Sequence, residues 1–186
     1  MIISNILIVD DEQSIIEALK RSFLDDPYKV YSAGSAAEGL DILSANSIKV
    51  VISDEMMPGM SGVDFLAKVS GRFPDVVRIM LTGQASLEAA INAINKGEIY
   101  RFFTKPWDDF ELLLAVKSAI EKFDLEEENR KLLDIVRKQA LNLKLIEKEF
   151  PGITHLEYDE KGRIIVQDVS DEEVERIVAQ LEKEYK

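Results

Sequence analysis

The sequence predicts an α/β protein: a doubly wound, five-stranded parallel sheet, then a long helix and a small ββα tail. Three observations carry this. Five short apolar runs alternate with helix-patterned segments over residues 1–122, and strict alternation of strand and helix gives a parallel sheet with right-handed crossovers. The runs, such as Val50-Val51-Ile52, are continuous and β-branched, as in strands covered on both faces. Between Gly97 and Pro151 the only Pro or Gly is Pro106, so a helix opening near Asp109 is expected to run to about Glu149.

Each element has a local cause. Asn5–Asp10 is an apolar run ending in acid, and Asp11 and Glu12 follow it. From Gln13 to Leu24 apolar residues recur at helical spacing (Ile15, Ile16, Leu19, Phe23) until Asp25, Asp26 and Pro27 stop them. Tyr28–Ala33 is a strand. Ser35 caps a helix over Ala36–Ala45, with Glu38 completing a capping box. The central strand, Lys49–Ser53, leads into Asp54, and Met57-Pro58-Gly59 then forces a tight loop around that carboxylate. Ser61 caps the next helix, Gly62–Arg72, whose apolar face is Val63, Phe65, Leu66 and Val69. Pro74 breaks it, and Val76–Leu81 forms a strand ending at Thr82-Gly83. A helix is expected over 86–95, closed by Gly97. The fifth strand, Ile99–Thr104, ends at Lys105-Pro106.

Composition narrows the function. The 186 residues are 46% hydrophobic, enough for a full core, and carry 35 acidic against 23 basic residues, a net charge of −12. That balance repels phosphate backbones and anionic membranes, so neither nucleic acid nor membrane is an expected partner. Cysteine is absent, which excludes thiolate metal sites and a Cys nucleophile. No apolar run approaches the ~18 residues of a membrane-spanning helix. The start, MIISNILIVDDE, lacks the basic segment of a signal peptide. A cytoplasmic protein is expected.

Open α/β sheets bind ligands at the carboxyl ends of their strands. Here those ends carry Asp10-Asp11, Asp54, Thr82 and Lys105. One Asp alone most often begins a turn, but three carboxylates at one edge repel one another and call for a cation. Hard oxygen donors with spare water positions suit Mg²⁺. A carboxylate beside Mg²⁺ can attack phosphorus, with the metal, a Lys and a small hydroxyl neutralising the transferred phosphoryl oxygens.

The pattern Asp10-Asp11, Asp54-x-x-Met57-Pro58-x-x-x-Gly62, Thr82-Gly83, Lys105-Pro106 resembles the receiver domain of two-component response regulators, a flavodoxin-like fold, over about residues 3–122. The resemblance implies that Asp54 is the phosphoacceptor. Asp11 and Asp54 would then hold Mg²⁺ by side chain, Asp10 mostly through water, and Met56 by its backbone carbonyl. Lys105 would pair with the phosphoryl group and the Lys105–Pro106 bond would be cis. Thr82 would swing towards the phosphate, and Phe102 would be the switch aromatic, here without a hydroxyl. Gly83 stands where Ala is commoner, and Met56 and Gln84 occupy positions that tune the access of hydrolytic water. The stretch Tyr100–Trp107 resembles receivers joined to HD-GYP cyclic-dinucleotide phosphodiesterases.

Beyond the receiver, over 109–150, a heptad runs Leu125, Asn129, Leu132, Val136, Gln139, Leu143, Ile146, Phe150. That is a coiled-coil seam in which Asn129 sets register; the alternative is a single helix folded back on the receiver. Residues 151–186 read as a hairpin over Ile153–Tyr158 and Arg163–Gln167, then a helix over Asp171–Tyr185 capped by Ser170. The lone His155 on the hairpin has no partner for metal or catalysis. From Ala119 onward 12 basic residues face 18 acidic ones, a net −6, which disfavours a transcription factor. The expectation is a non-enzymatic response regulator phosphorylated by a sensor histidine kinase. It would act on a downstream protein target, as a homodimer through the helical arm. The face formed by the helix over 86–95, the fifth strand and the long helix would change its packing. The alternative is the regulatory portion of a cyclic-di-GMP phosphodiesterase or another larger enzyme.

Overall fold

The computed structural model of the protein describes residues 4–83, 99–150, 157–158 and 164–165. Strands β1 (Ser4–Val9), β2 (Tyr28–Ala33), β3 (Val50–Asp54), β4 (Val77–Thr82) and β5 (Arg101–Thr104) form one sheet in the order β2-β1-β3-β4-β5. Every pairing in it is parallel. Helices α1 (Gln13–Ser22), α2 (Ala36–Ala45) and α3 (Gly62–Arg72) connect the first four strands, and α4 (Asp109–Glu149) follows the fifth. This is the expected doubly wound, flavodoxin-like sheet.

The strand pleat explains why both faces are covered. Side chains alternate along a strand, so Ile6, Ile8, Ile52, Ile79 and Leu81 pack with Ile16 and Leu19 of α1 and Leu112 and Val116 of α4. Leu7, Val9, Val51 and Met80 point the other way, onto Leu43 of α2 and Phe65, Leu66 and Val69 of α3. Two apolar layers therefore sandwich the sheet.

The capping residues set the helix starts. Ser35 accepts from the Glu38 N–H and Ser61 from the Asp64 N–H, while the Glu38 carboxylate reaches back to the Gly34 N–H at 2.8 Å. Several strand limits differ from expectation. β3 and β4 each run one residue further, into Asp54 and Thr82, because the ladder continues past the apolar run: Asp54 pairs with Leu81 and Thr82 with Thr104. β5 begins at Arg101, leaving Ile99 as a buried residue of the α2–α3 layer.

Contacts group the chain into two compact units, residues 1–131 and 132–186. In the first, α4 buries Leu112, Ala115, Val116, Ala119 and Ile120. Lys49 bonds Asp124 at 2.6 Å, and Arg130 pairs with Asp75 ahead of β4. In the second, the described residues are the end of α4 and the antiparallel pair β6 (Glu157–Tyr158) and β7 (Ile164–Ile165). The helices expected over 86–95 and 171–185, with Gln84 and His155, lie outside the described residues.

Candidate functional site

The carboxyl ends of β1 and β3, with the loop after β5, assemble the site. Asp10 follows the last residue of β1 and is 1% exposed; Asp54 closes β3 and is 6% exposed. Lys105 reaches from the end of β5 between them, its Nζ 2.9 Å from Asp10 Oδ2 and 2.5 Å from Asp54 Oδ1. The other oxygen of each carboxylate is held by backbone. Asp10 Oδ1 accepts the Glu12 N–H at 2.8 Å, and Asp54 Oδ2 accepts the Met56 N–H at 2.8 Å. Both carboxylates are thus fixed in orientation by the chain that follows them, and one ammonium serves two negative groups. The Lys105–Pro106 peptide is cis.

The electrostatics follow from burial. Loss of solvent pushes the Asp10 carboxyl up from its ordinary value, and the hydrogen bonds from Lys105 and Glu12 only partly offset this; the charge of Asp54 adds to the rise. Burial alone would lower the Lys105 ammonium, but its hydrogen bonds to Asp54 and Asp10 outweigh that, and it is raised. Raised in the fold, Lys105 contributes stability that is complete below its ordinary 10.5 and is lost as pH climbs through its higher folded value. Lys105→Ala is therefore expected to cost about 3 kcal/mol at neutral pH, because it leaves two buried carboxylates without a cation. The variant should also lack the alkaline limb of the wild type, which urea denaturation on either side of pH 10.5 measures.

Asp10 and Asp54 meet at Lys105, and Asp11, the residue next to Asp10, is exposed at the same strand end. Among the described residues no group of three or more His, Cys, Asp or Glu stands ready to hold a metal. The donors that do converge still suit a hard, partly hydrated cation. They are buried carboxylate oxygens whose combined charge exceeds that of Lys105, with the Met56 carbonyl on the adjoining loop.

Thr82 is fully buried, and its hydroxyl lies 2.5 Å from Glu55 Oε2 and 3.0 Å from the Gly83 carbonyl. Phe102 is half-buried against the α2–α3 layer, opposite Met80. Two residues outside the expected set prove structural to the site. Glu55 is 5% exposed and is the partner of Thr82. Asp109 Oδ1 accepts both Ser22 Oγ at 2.7 Å and Trp107 Nε1 at 3.0 Å, which ties the Lys105-Pro106-Trp107 loop to α1.

The loop after β3 is shaped by two glycines. Gly59 has φ +81°, the left-handed region that favours glycine. At Gly62 a Cβ would stand 1.9 Å from the Asp54 carbonyl oxygen, so only glycine lets α3 start against the strand end.

With this geometry in view, the sequence matches the response regulator receiver domain over residues 6–117, and the chain belongs to that family of two-component signalling proteins. Among its relatives, the hydrogenase transcriptional regulatory protein HoxA of Cupriavidus necator is 35% identical over 129 residues, 69% of this chain and 27% of that protein. The C4-dicarboxylate transport transcriptional regulatory protein DctD of Rhizobium meliloti is 33% identical, over 76% of this chain and 31% of that one. The signal receiver domain of an HD domain-containing protein from Pseudomonas fluorescens Pf-5 is 38% identical with a TM-score of 0.63, covering 66% of this chain and 98% of that structure. The chain thus spans under a third of the length of these two curated regulators. Among the described residues no helix is long and apolar enough to cross a membrane.

Proposed function

We propose that this chain is a phosphorylation-controlled signalling module in which Asp54 accepts a phosphoryl group from a sensor histidine kinase. The observation that carries the reading is the Lys105 ammonium held between Asp10 and Asp54 at the strand ends. In the transfer, Asp54 Oδ1 forms a bond to phosphorus as the phosphorus–nitrogen bond of a phosphohistidine breaks, its electron pair leaving on the imidazole. Lys105 then trades a carboxylate oxygen for a phosphoryl oxygen, and Thr82 donates to another. Asp11, Asp54 and the Met56 carbonyl would hold Mg²⁺, with Asp10 acting through water. Bound there, the ion would supply charge neutralisation to the phosphoryl oxygens. A groove of about 710 Å³ lined by Lys105, by Ile15, Ala18 and Arg21 of α1 and by Pro106, Trp107 and Asp109 is a seat for the phosphodonor protein on one side of that lysine.

The chain acts as a switch, with no enzymatic turnover beyond slow self-dephosphorylation. Rotation of Thr82 and repacking of Phe102 bias a two-state face beside β5, because a phosphoryl group can shift only an equilibrium whose states it binds unequally. We read residues 1–122 as the receiver, 109–150 as the signal-carrying arm and 151–186 as a separate ββα element, in a cytoplasmic protein. The arm is a dimer seam: Leu125, Leu132, Val136, Leu143 and Ile146 are all exposed, although apolar and in heptad register. In that register Asn129 and Val136 occupy a positions with Leu125 and Leu132 at d, a pattern that favours two strands over this part of the helix. Val136→Glu is expected to weaken the dimer roughly a hundredfold or more by burying two carboxylates in the seam. Size-exclusion chromatography with light scattering, with and without beryllofluoride and Mg²⁺, tests this. A dimeric wild type beside a monomeric Val136→Glu supports the seam, and a monomeric wild type sinks it.

A second reading is favoured by the likeness to a receiver from an HD domain-containing protein: this chain would be the regulatory portion of a larger output enzyme such as a cyclic-di-GMP phosphodiesterase. The transcriptional regulators among its relatives raise a DNA output, against which stands the net charge of −12. Tight, salt-sensitive duplex binding would revive it.

A further inference from the structure

We propose that Glu55 is a latch that holds Thr82 in its unphosphorylated position, so that this residue sets how readily the switch is thrown. The inference rests on the phosphoacceptor reading of Asp54. It begins with register. Asp54 is paired with Leu81, and one step further along both strands Glu55 stands across from Thr82, on the same face of the sheet. The Glu55 N–H donates to the Leu81 carbonyl at 2.9 Å and the Gly62 N–H to the Glu55 carbonyl at 2.7 Å. The Glu55 backbone is therefore tied on both sides, and its carboxylate is aimed along β4. Its Oε2 meets the Thr82 hydroxyl at 2.5 Å, the short end of the range for a hydroxyl on a carboxylate oxygen. Both side chains are removed from solvent, at 5% and 0% exposure.

A threonine hydroxyl has one proton to donate. Given to Glu55, it cannot be given to an oxygen at Asp54, so the two positions of Thr82 compete for a single donor. Moving Thr82 towards Asp54 also removes from the buried Glu55 carboxylate the hydroxyl it accepts from. The bond thus favours the resting state, and Glu55 acts as a positioning residue through Thr82, without touching the phosphoryl group.

The test titrates the whole chain with beryllofluoride in saturating Mg²⁺, read by the fluorescence of Trp107, the single tryptophan. Wild type, Glu55→Gln and Glu55→Ala are compared, each also with Thr82→Ala. Loss of one buried hydrogen bond from the resting state makes Glu55→Ala bind roughly tenfold more tightly. Glu55→Gln, whose amide oxygen still accepts from the hydroxyl, falls between Glu55→Ala and wild type. In the Thr82→Ala background the Glu55 substitutions make no difference. Affinity equal to or below wild type for Glu55→Ala overturns the latch, as does an equal gain when Thr82 is absent. If wild type responds no more than Asp54→Ala does, the phosphoacceptor reading has failed, and the latch with it. Should Glu55→Ala not fold, NMR couplings of Thr82 in the wild type decide. A change of its side-chain rotamer on adding beryllofluoride supports the latch, and one unchanged rotamer overturns it.

Discussion

Asp54→Ala is expected to abolish phosphoryl uptake completely while leaving the fold intact. The two effects separate because the carboxylate is the nucleophile for one and half of a repelling pair for the other. In the wild type Asp54 shares Lys105 with Asp10 and raises the Asp10 carboxyl by its charge. Removing it ends that repulsion and leaves Lys105 a whole partner in Asp10, so stability at neutral pH should stay within about 1 kcal/mol of wild type. Intact-protein mass after incubation with a small phosphodonor and Mg²⁺ gives the first quantity, and urea denaturation the second. A variant that still gains a phosphoryl group would remove Asp54 from the mechanism.

The second large effect is on the scaffold. Gly62→Ala would place a methyl group 1.9 Å from the Asp54 carbonyl oxygen and 2.8 Å from its carbon. The obstacle is backbone, which cannot rotate aside as a side chain could. Either β3 or the start of α3 has to move, and α3 is held there by Phe65, Leu66 and Val69 in the core. The expected loss is about 3 kcal/mol or more, seen as a lower urea midpoint, together with weaker Mg²⁺ binding because Asp54 itself is displaced. Gly59→Ala is the control. Its φ is +81° but the space around it is open, so its cost is confined to backbone conformation, about 1 kcal/mol. Equal losses for the two would refute the close-approach account of Gly62.

Much of this molecule was legible in its residues. Strand positions were readable because a sheet covered on both faces demands continuous apolar runs such as Val50-Val51-Ile52. Helix starts were readable where a Ser cap is followed by an acid, as at Ser35 and Ser61. The convergence of Asp10, Asp54 and Lys105 followed from topology alone, since parallel strands end at one edge. What escaped was whatever depends on register and pleat. Asp10 and Asp11 are chemically alike, yet one is buried and the other exposed because of which side of the strand each continues. Glu55 fell at an unassigned position of the pattern Asp54-x-x-Met57 and drew no reading from the sequence. Its burial required knowing that β3 and β4 pair one residue beyond their apolar runs. Asp109 was legible as the start of a helix but not as the partner of Ser22, 87 residues away.

The central claim, that Asp54 carries the signal, is tested most directly by locating the phosphoryl group. Incubating the wild-type chain with a small phosphodonor and Mg²⁺, trapping the acyl phosphate by borohydride reduction and mapping the peptides would find it. A single modified residue, Asp54, reduced to homoserine, is the expected result. Modification of Asp10, Asp11 or Glu55 in its place, or of no residue at all, would contradict it.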